Sequence, residues 1–233
     1  MARCVSSLVL VLVLAMAGSA LAESVLDYLS LEYDADGRPT VVVSGANVVV
    51  RSGPTFPQNG LGNVFIGPAQ AESAHNNRSV HNLVLGHGHV LLNAQENLVM
   101  GRDHQVIAHG TLISGSGAKA FDTSYSGILG GQGSQIFSAD WAAVCGGRLN
   151  TVEGDWSTAA GGYQNSLKGP YNYAGGGNHN VSSGSLCAMV GGIGARCGGA
   201  WATTVGGIQP TATERFQTRI HDGRLHFLTA PTP

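Results

Sequence analysis

Nine histidines invite a metal-site reading. Five of them, His81, His87, His89, His104 and His109, lie close together, and His87-Gly88-His89 sets two imidazoles on one side of a strand or turn. Zinc needs three or four ligands converging at about 2 Å. No carboxylate or thiol recurs beside these histidines, so they read as solvated turn residues, with no metal and no other cofactor expected. The acids Asp103, Asp122, Asp140, Glu153 and Asp155 read as scattered, sharing no column of a repeat. With no G-x-S-x-G elbow, P-loop or zincin helix present, no catalytic residue is expected and the chain reads as a non-enzyme.

Two other groups could do chemistry. Cys187 and Cys197 stand ten residues apart, close enough to meet across one turn of a coiled structure, and a disulfide between them is one expectation; Cys145 is then left over as a small buried hydrophobe. The aromatic residues Tyr125, Trp141, Trp156, Tyr171 and Trp201, with Leu186 between the last two, fall at near-equal intervals and hold all three tryptophans of the chain. Stacked rings can bind sugars or protein side chains. The plainer reading has them pack against neighbouring coils or a neighbouring subunit.

What positions these residues is an internal repeat. Gly86, Gly101, Gly115, Gly130, Gly146, Gly161, Gly176, Gly191 and Gly206 each close a short apolar run, at intervals of 14 to 16 residues. Other columns keep phase with them. The aromatic residues stand five before the anchor, Gly154, Gly169, Gly184 and Gly199 seven before it, and Ser134, Asn150, Asn165 and Asn180 four after it. A unit of this length cannot bury a core alone and must stack on its neighbours. Its contour of roughly 50 Å fits two short strands and two turns, not a helix pair. The predicted fold is therefore an all-β parallel solenoid, a rod roughly 45 Å long if about nine or ten coils stack at strand spacing.

The run before each anchor carries a second message. Leu83, Val84 and Leu85 precede Gly86, and Leu98 and Val99 stand in the next run; Ile113, Ile128 and Val144 continue the series. Adjacent apolar residues put apolar surface on both faces of a strand. One face fills the coil, and the other needs a partner. Self-association through this strand is the economical reading, the alternative being cover by a loop or by the N-terminal segment.

The segments NLVLG at 82–86, NLVMG at 97–101 and NVFIG at 63–67 resemble the N-S-V-A-I-G type repeat of trimeric autotransporter adhesin heads, the YadA-like left-handed parallel β-roll. The later Gly-Gly coils look like the same repeat in another form, and the resemblance spans roughly residues 62–212. It implies a left-handed roll, a homotrimer packed about an axis, and a rigid head for cell adhesion. That family ends in a coiled-coil stalk and a membrane β-barrel; neither pattern is visible here, so an unanchored secreted relative is expected.

The flanks and composition complete the reading. Residues 1–22 have one basic residue, an apolar run and Ala20-Leu21-Ala22, the anatomy of a secretory signal peptide cleaved after Ala22. Residues 23–61 read as an N-terminal cap segment with strands about Asp36-Gly37, and 213–233 as a C-terminal hairpin and tail. A net charge of −2 with only 11% charged residues excludes nucleic acid as a partner, and no mature segment is long and apolar enough for a membrane span. The expectation is a bacterial protein, secreted or at the cell surface, with the periplasm as the alternative compartment. It is read as a structural or adhesion module whose partners are its own copies and an extracellular matrix or surface glycan or protein. The alternative is a polysaccharide-binding or polysaccharide-active solenoid, which acidic residues lined up along adjacent coils would favour.

Overall fold

The structure, a computed structural model, describes residues 29–33, 39–44, 48, 62–67 and 78–220. The signal peptide, the Asp36-Gly37 turn, most of the expected cap and the tail from 221 onward lie outside the described residues. Two units are present, divided after Val49. In the first, Leu29–Tyr33 pairs antiparallel with Pro39–Val43, Leu29 opposite Val43 and Tyr33 opposite Pro39. This is the strand pair expected about Asp36-Gly37.

The second unit is an all-β parallel solenoid. Equivalent residues of successive coils lie about fifteen apart, as in the pairing of Val84 with Val99 and of Ala159 with Ala174. Each coil contributes one strand to each of two sheets. The first sheet has eleven strands from Val64–Ile66 to Thr218–Ile220, and the second has nine from Val90–Leu91 to Thr211–Ala212. All pairings in both are parallel. The stack runs past Ala212: Thr218–Ile220, expected as one arm of a C-terminal hairpin, pairs parallel with Thr203–Val205 as a further rung. The other expected arm lies outside the described residues.

Alternation explains why so short a repeat folds. Successive strand residues face opposite sides, so one residue of each first-sheet strand between the two end strands points inward: Val84, Val99, Ile113, Ile128, Val144, Ala159, Ala174, Met189 and Thr204, all buried. Leu91, Val106, Ala120, Ile136, Val152 and Leu167 meet them from the second sheet. Burying a side chain of this size stabilises by about 1.5–3 kcal/mol, and only one or two fit in each coil. The remaining cross-section is filled by polar residues whose hydrogen bonds run along the axis.

Two inner polar ladders do this. In one, the Asn63, Asn82 and Asn97 carboxamide oxygens accept the backbone N–H of Asn82, Asn97 and Thr111 at 2.9, 3.0 and 2.8 Å. In the other, Asn150, Asn165 and Asn180 accept from Asn165, Asn180 and Ala195 at 3.0, 3.1 and 2.8 Å, while the Asn150 and Asn165 amides donate back to Gly146 and Gly161. A buried backbone N–H without a partner would cost about 1–3 kcal/mol. Repeated once per coil, the ladders replace much of the missing hydrophobic core. The Asn at the head of each N-x-V-x-G run thus has a structural role that the apolar pattern alone did not reveal.

Candidate functional site

Three features could act on other molecules: an aromatic corner, a cleft lined by acids, and the outer face of the first sheet. The corner forms where each coil turns into its first-sheet strand. Tyr125, Trp141, Trp156, Tyr171, Leu186 and Trp201 all adopt φ between 52° and 61° there, a left-handed conformation that costs a bulky residue free energy. Each N–H reaches back one coil, Trp156 to the Asp140 carbonyl at 3.0 Å and Tyr171 to that of Asp155 at 2.8 Å. The side chains are thrown outward, about half exposed.

Here the rings stack on one another. Tyr125 and Trp141 have centroids 4.8 Å apart, Trp141 and Trp156 5.3 Å, and Trp156 and Tyr171 6.2 Å, the last two pairs within 9° of parallel. Leu186 interrupts the series, and Trp201 then stacks obliquely on Phe216, a member of the column that the sequence reading stopped short of. Offset stacking stabilises each pair by about 0.5–1.5 kcal/mol beyond burial, which offsets backbone strain at the corner. It also consumes the ring faces, so the corner presents ring edges to solvent and offers no flat platform for a sugar along most of its length.

Beside it lies a cleft of about 460 Å³ lined by Asp122, Asp140, Asp155, His109, Ser138 and Asn93, among others. This corrects the reading of the acids as scattered. Asp140 and Asp155 are equivalent residues of adjacent coils, each just before a tryptophan; Asp155 Oδ1 accepts the Asp140 N–H at 2.9 Å and Asp140 Oδ1 the Ser124 N–H at 2.7 Å. Asp122 joins them through a β-bulge, because Ile107 pairs with Phe121 but Ala108 pairs with Thr123. The signal was present as Asp-Trp at 140–141 and 155–156; the bulge had none. His109 Nε2 lies 3.0 Å from Glu96 Oε2, and no ion pair to these three carboxylates is formed among the described residues.

The outer face of the first sheet is the largest feature. The expected strand residues divide by face: Val84, Val99, Ile113, Ile128 and Val144 fill the core, whereas Leu83, Leu85 and Leu98 point out. Two outward columns, from Val64 and Ile66 through Leu112, Leu129, Tyr173 and Val190 to Ile220, contain no Asp, Glu, Lys or Arg; the exposed charges on these strands are Arg102, at the end of Leu98–Arg102, and Arg219 on the last one. The outward residues of the second sheet include Lys119, Glu153, Lys168 and Arg196. Cys145, expected to be buried, lies exposed on the uncharged face, because Val144 beside it takes the inward place.

The histidines do not converge. Among the described residues no three of His, Cys, Asp and Glu are placed to hold a metal ion. His89 and His104 are not solvated turn residues: both are fully buried and stacked, centroids 5.0 Å apart. They occupy the same inner column as Asn150 and do its work. His104 Nδ1 accepts the Ala118 N–H at 3.0 Å, and Nε2 stands 2.9 Å from the Met100 carbonyl. Burial holds both imidazoles below the ordinary value of 6.5, against the raising effect of the carbonyls of Leu85 and Met100. Cys187 and Cys197 are buried free thiols in this structure.

No protein family, curated protein or solved structure matches the chain. Among the described residues no helix is long and apolar enough to cross a membrane.

Proposed function

We propose that this protein is an exported, non-catalytic adhesion module whose copies assemble through the outer face of the first sheet into a homotrimer, in the manner of trimeric autotransporter heads. One observation carries the reading: two outward columns on eleven successive strands are free of charge, while the opposite sheet turns Lys119, Glu153, Lys168 and Arg196 outward. Interface cores are depleted in charge in this way, and exposed apolar surface of this extent marks contact with another molecule. Assembly about an axis buries those columns and leaves the aromatic corners and polar sheets facing out. Identical surfaces repeated around the axis then gain avidity without strong single contacts.

Light scattering on residues 23–233 is expected to give about three times the chain mass, and Leu83→Glu with Leu98→Glu to return it to one. A monodisperse wild-type monomer overturns the assembly. A second reading, polysaccharide binding, is favoured by the Asp122, Asp140 and Asp155 rank beside the ring edges, since carboxylates pair well with sugar hydroxyls. A glycan array probed with wild type and with Asp140→Asn/Asp155→Asn tests it; binding lost in the variant supports it, and no binding by the wild type rejects it.

A further inference from the structure

The interior changes character near the C-terminal end of the stack. The second-sheet inner column, aliphatic through Leu167, continues as Ser182, Cys197 and Ala212, and the first-sheet column ends its buried run at Thr204. Thr204 Oγ1 is buried without a hydrogen-bond partner, and Ser182 Oγ is buried facing Cys187. Between them, Cys187 and Cys197 project into one coil from its two sides, each 1% exposed. Cys187 Sγ lies 3.3 Å from the carbonyl oxygen of Cys197 and 3.2 Å from that of Gly199; Cys197 Sγ lies 3.2 Å from that of Ala202. The Cys187 thiol thus rests against the backbone at and just beyond Cys197, and the Cys197 thiol against the next coil at Ala202.

We propose that Cys187 and Cys197 are a disulfide site, closing a covalent staple across a single coil where the aliphatic core gives out. The two thiols polarise each other: the hydrogen bond from Cys197 pulls Cys187 down to about 6, while the Cys197 thiol is pushed up. In the folded coil Cys187 is thus the better thiolate, and in the forming coil either cysteine can attack first. With oxidised glutathione as the electron acceptor, Cys187 attacks one of its sulfurs and releases one glutathione thiolate. Cys197 then loses its proton to water, attacks the Cys187 sulfur of the mixed disulfide and expels the second glutathione. Two protein thiols are oxidised by two electrons, and one glutathione disulfide becomes two thiols. Because both sulfurs are buried in the finished coil, the exchange belongs to the stage at which that coil is still forming.

The test is to refold the full chain in a mixture of reduced and oxidised glutathione, denature it in maleimide with and without prior reduction, and weigh it. The chain has four cysteines. The expected result is two maleimides without reduction and four after it, with a peptide map joining Cys187 to Cys197. Oxidised wild type should also melt about 5–10 °C above the same protein held reduced, since a short closed loop restricts the unfolded chain. Four maleimides before reduction, a link through Cys4 or Cys145, or equal melting temperatures would overturn the proposal. The thiol count uses wild-type protein alone, so a Cys187→Ser variant that failed to fold would not obscure it.

Discussion

At the scale of single residues the inner column shows how two side chains of different chemistry can fill one role. The Asn150 carboxamide accepts from the coil above and donates to the carbonyl four residues back; His89 and His104 do the same with Nδ1 and Nε2, which requires the neutral ring. A second proton removes the acceptor and strands an N–H. Burial lowers both rings, and like charge adds to it, from His87 on His89 and from His89 on His104; Asp103 raises both as the opposite charge and is outweighed. Both rings sit below 6.5 when folded, so between that lower value and 6.5 the unfolded chain binds more protons. Stability is whole above about pH 6.5 and falls as acid is added. Thermal melts should therefore drop between pH 7.5 and pH 5, and His89→Asn/His104→Asn should flatten that dependence. Asn165→Ala, which orphans the Asn180 N–H and the Gly161 carbonyl, should cost about 2–3 kcal/mol in denaturant titration. The asparagine column was visible in the sequence from Ser134 to Asn180. His89 and His104 escaped it because the first coils are one residue shorter after the anchor: they stand three beyond Gly86 and Gly101 where Asn150 stands four beyond Gly146.

At the scale of the strand and its turn, the paired glycines are not equivalent. Gly147 has φ 82°, and a Cβ there would sit 2.2 Å from the Gly162 carbonyl oxygen, whereas a Cβ on Gly146 would meet nothing within 4 Å. Gly147→Ala should thus separate two rungs and cost upwards of about 2 kcal/mol, with Gly146→Ala within about 0.5 kcal/mol of wild type. Equal effects in the two denaturation curves would mean that backbone approach does not set the rung spacing. The strand positions themselves were legible, because runs such as Leu83-Val84-Leu85 recur at one phase. Which of those residues faces the core follows only from alternation about the buried Val84, and the acidic cleft was hidden by the bulge at Asp122, where the local count of residues shifts by one.

For the molecule as a whole, stability is a sum over coils and the contacts between neighbours. Excising residues 158–172, one full repeat, rejoins Ser157 to Tyr173, whose place matches Thr158, and keeps each column in line. That shortened chain should fold with an unchanged far-ultraviolet spectrum and a melting point lower by a few degrees. Excising 158–165, about half a repeat, puts second-sheet residues in first-sheet places and carries the exposed Gly175 into the inward place of Leu167, and should give aggregate. Period and columns could be read at this scale because like residues must meet their own kind along the axis; the assembly could be anticipated only as an unmet need of one face. The tryptophan pair also gives the molecule an optical property. Indoles held 5.3 Å apart and nearly parallel absorb and emit as a coupled chromophore, and prising the middle rungs apart would return the spectrum of two separate dyes, an intrinsic gauge of closure that needs no label.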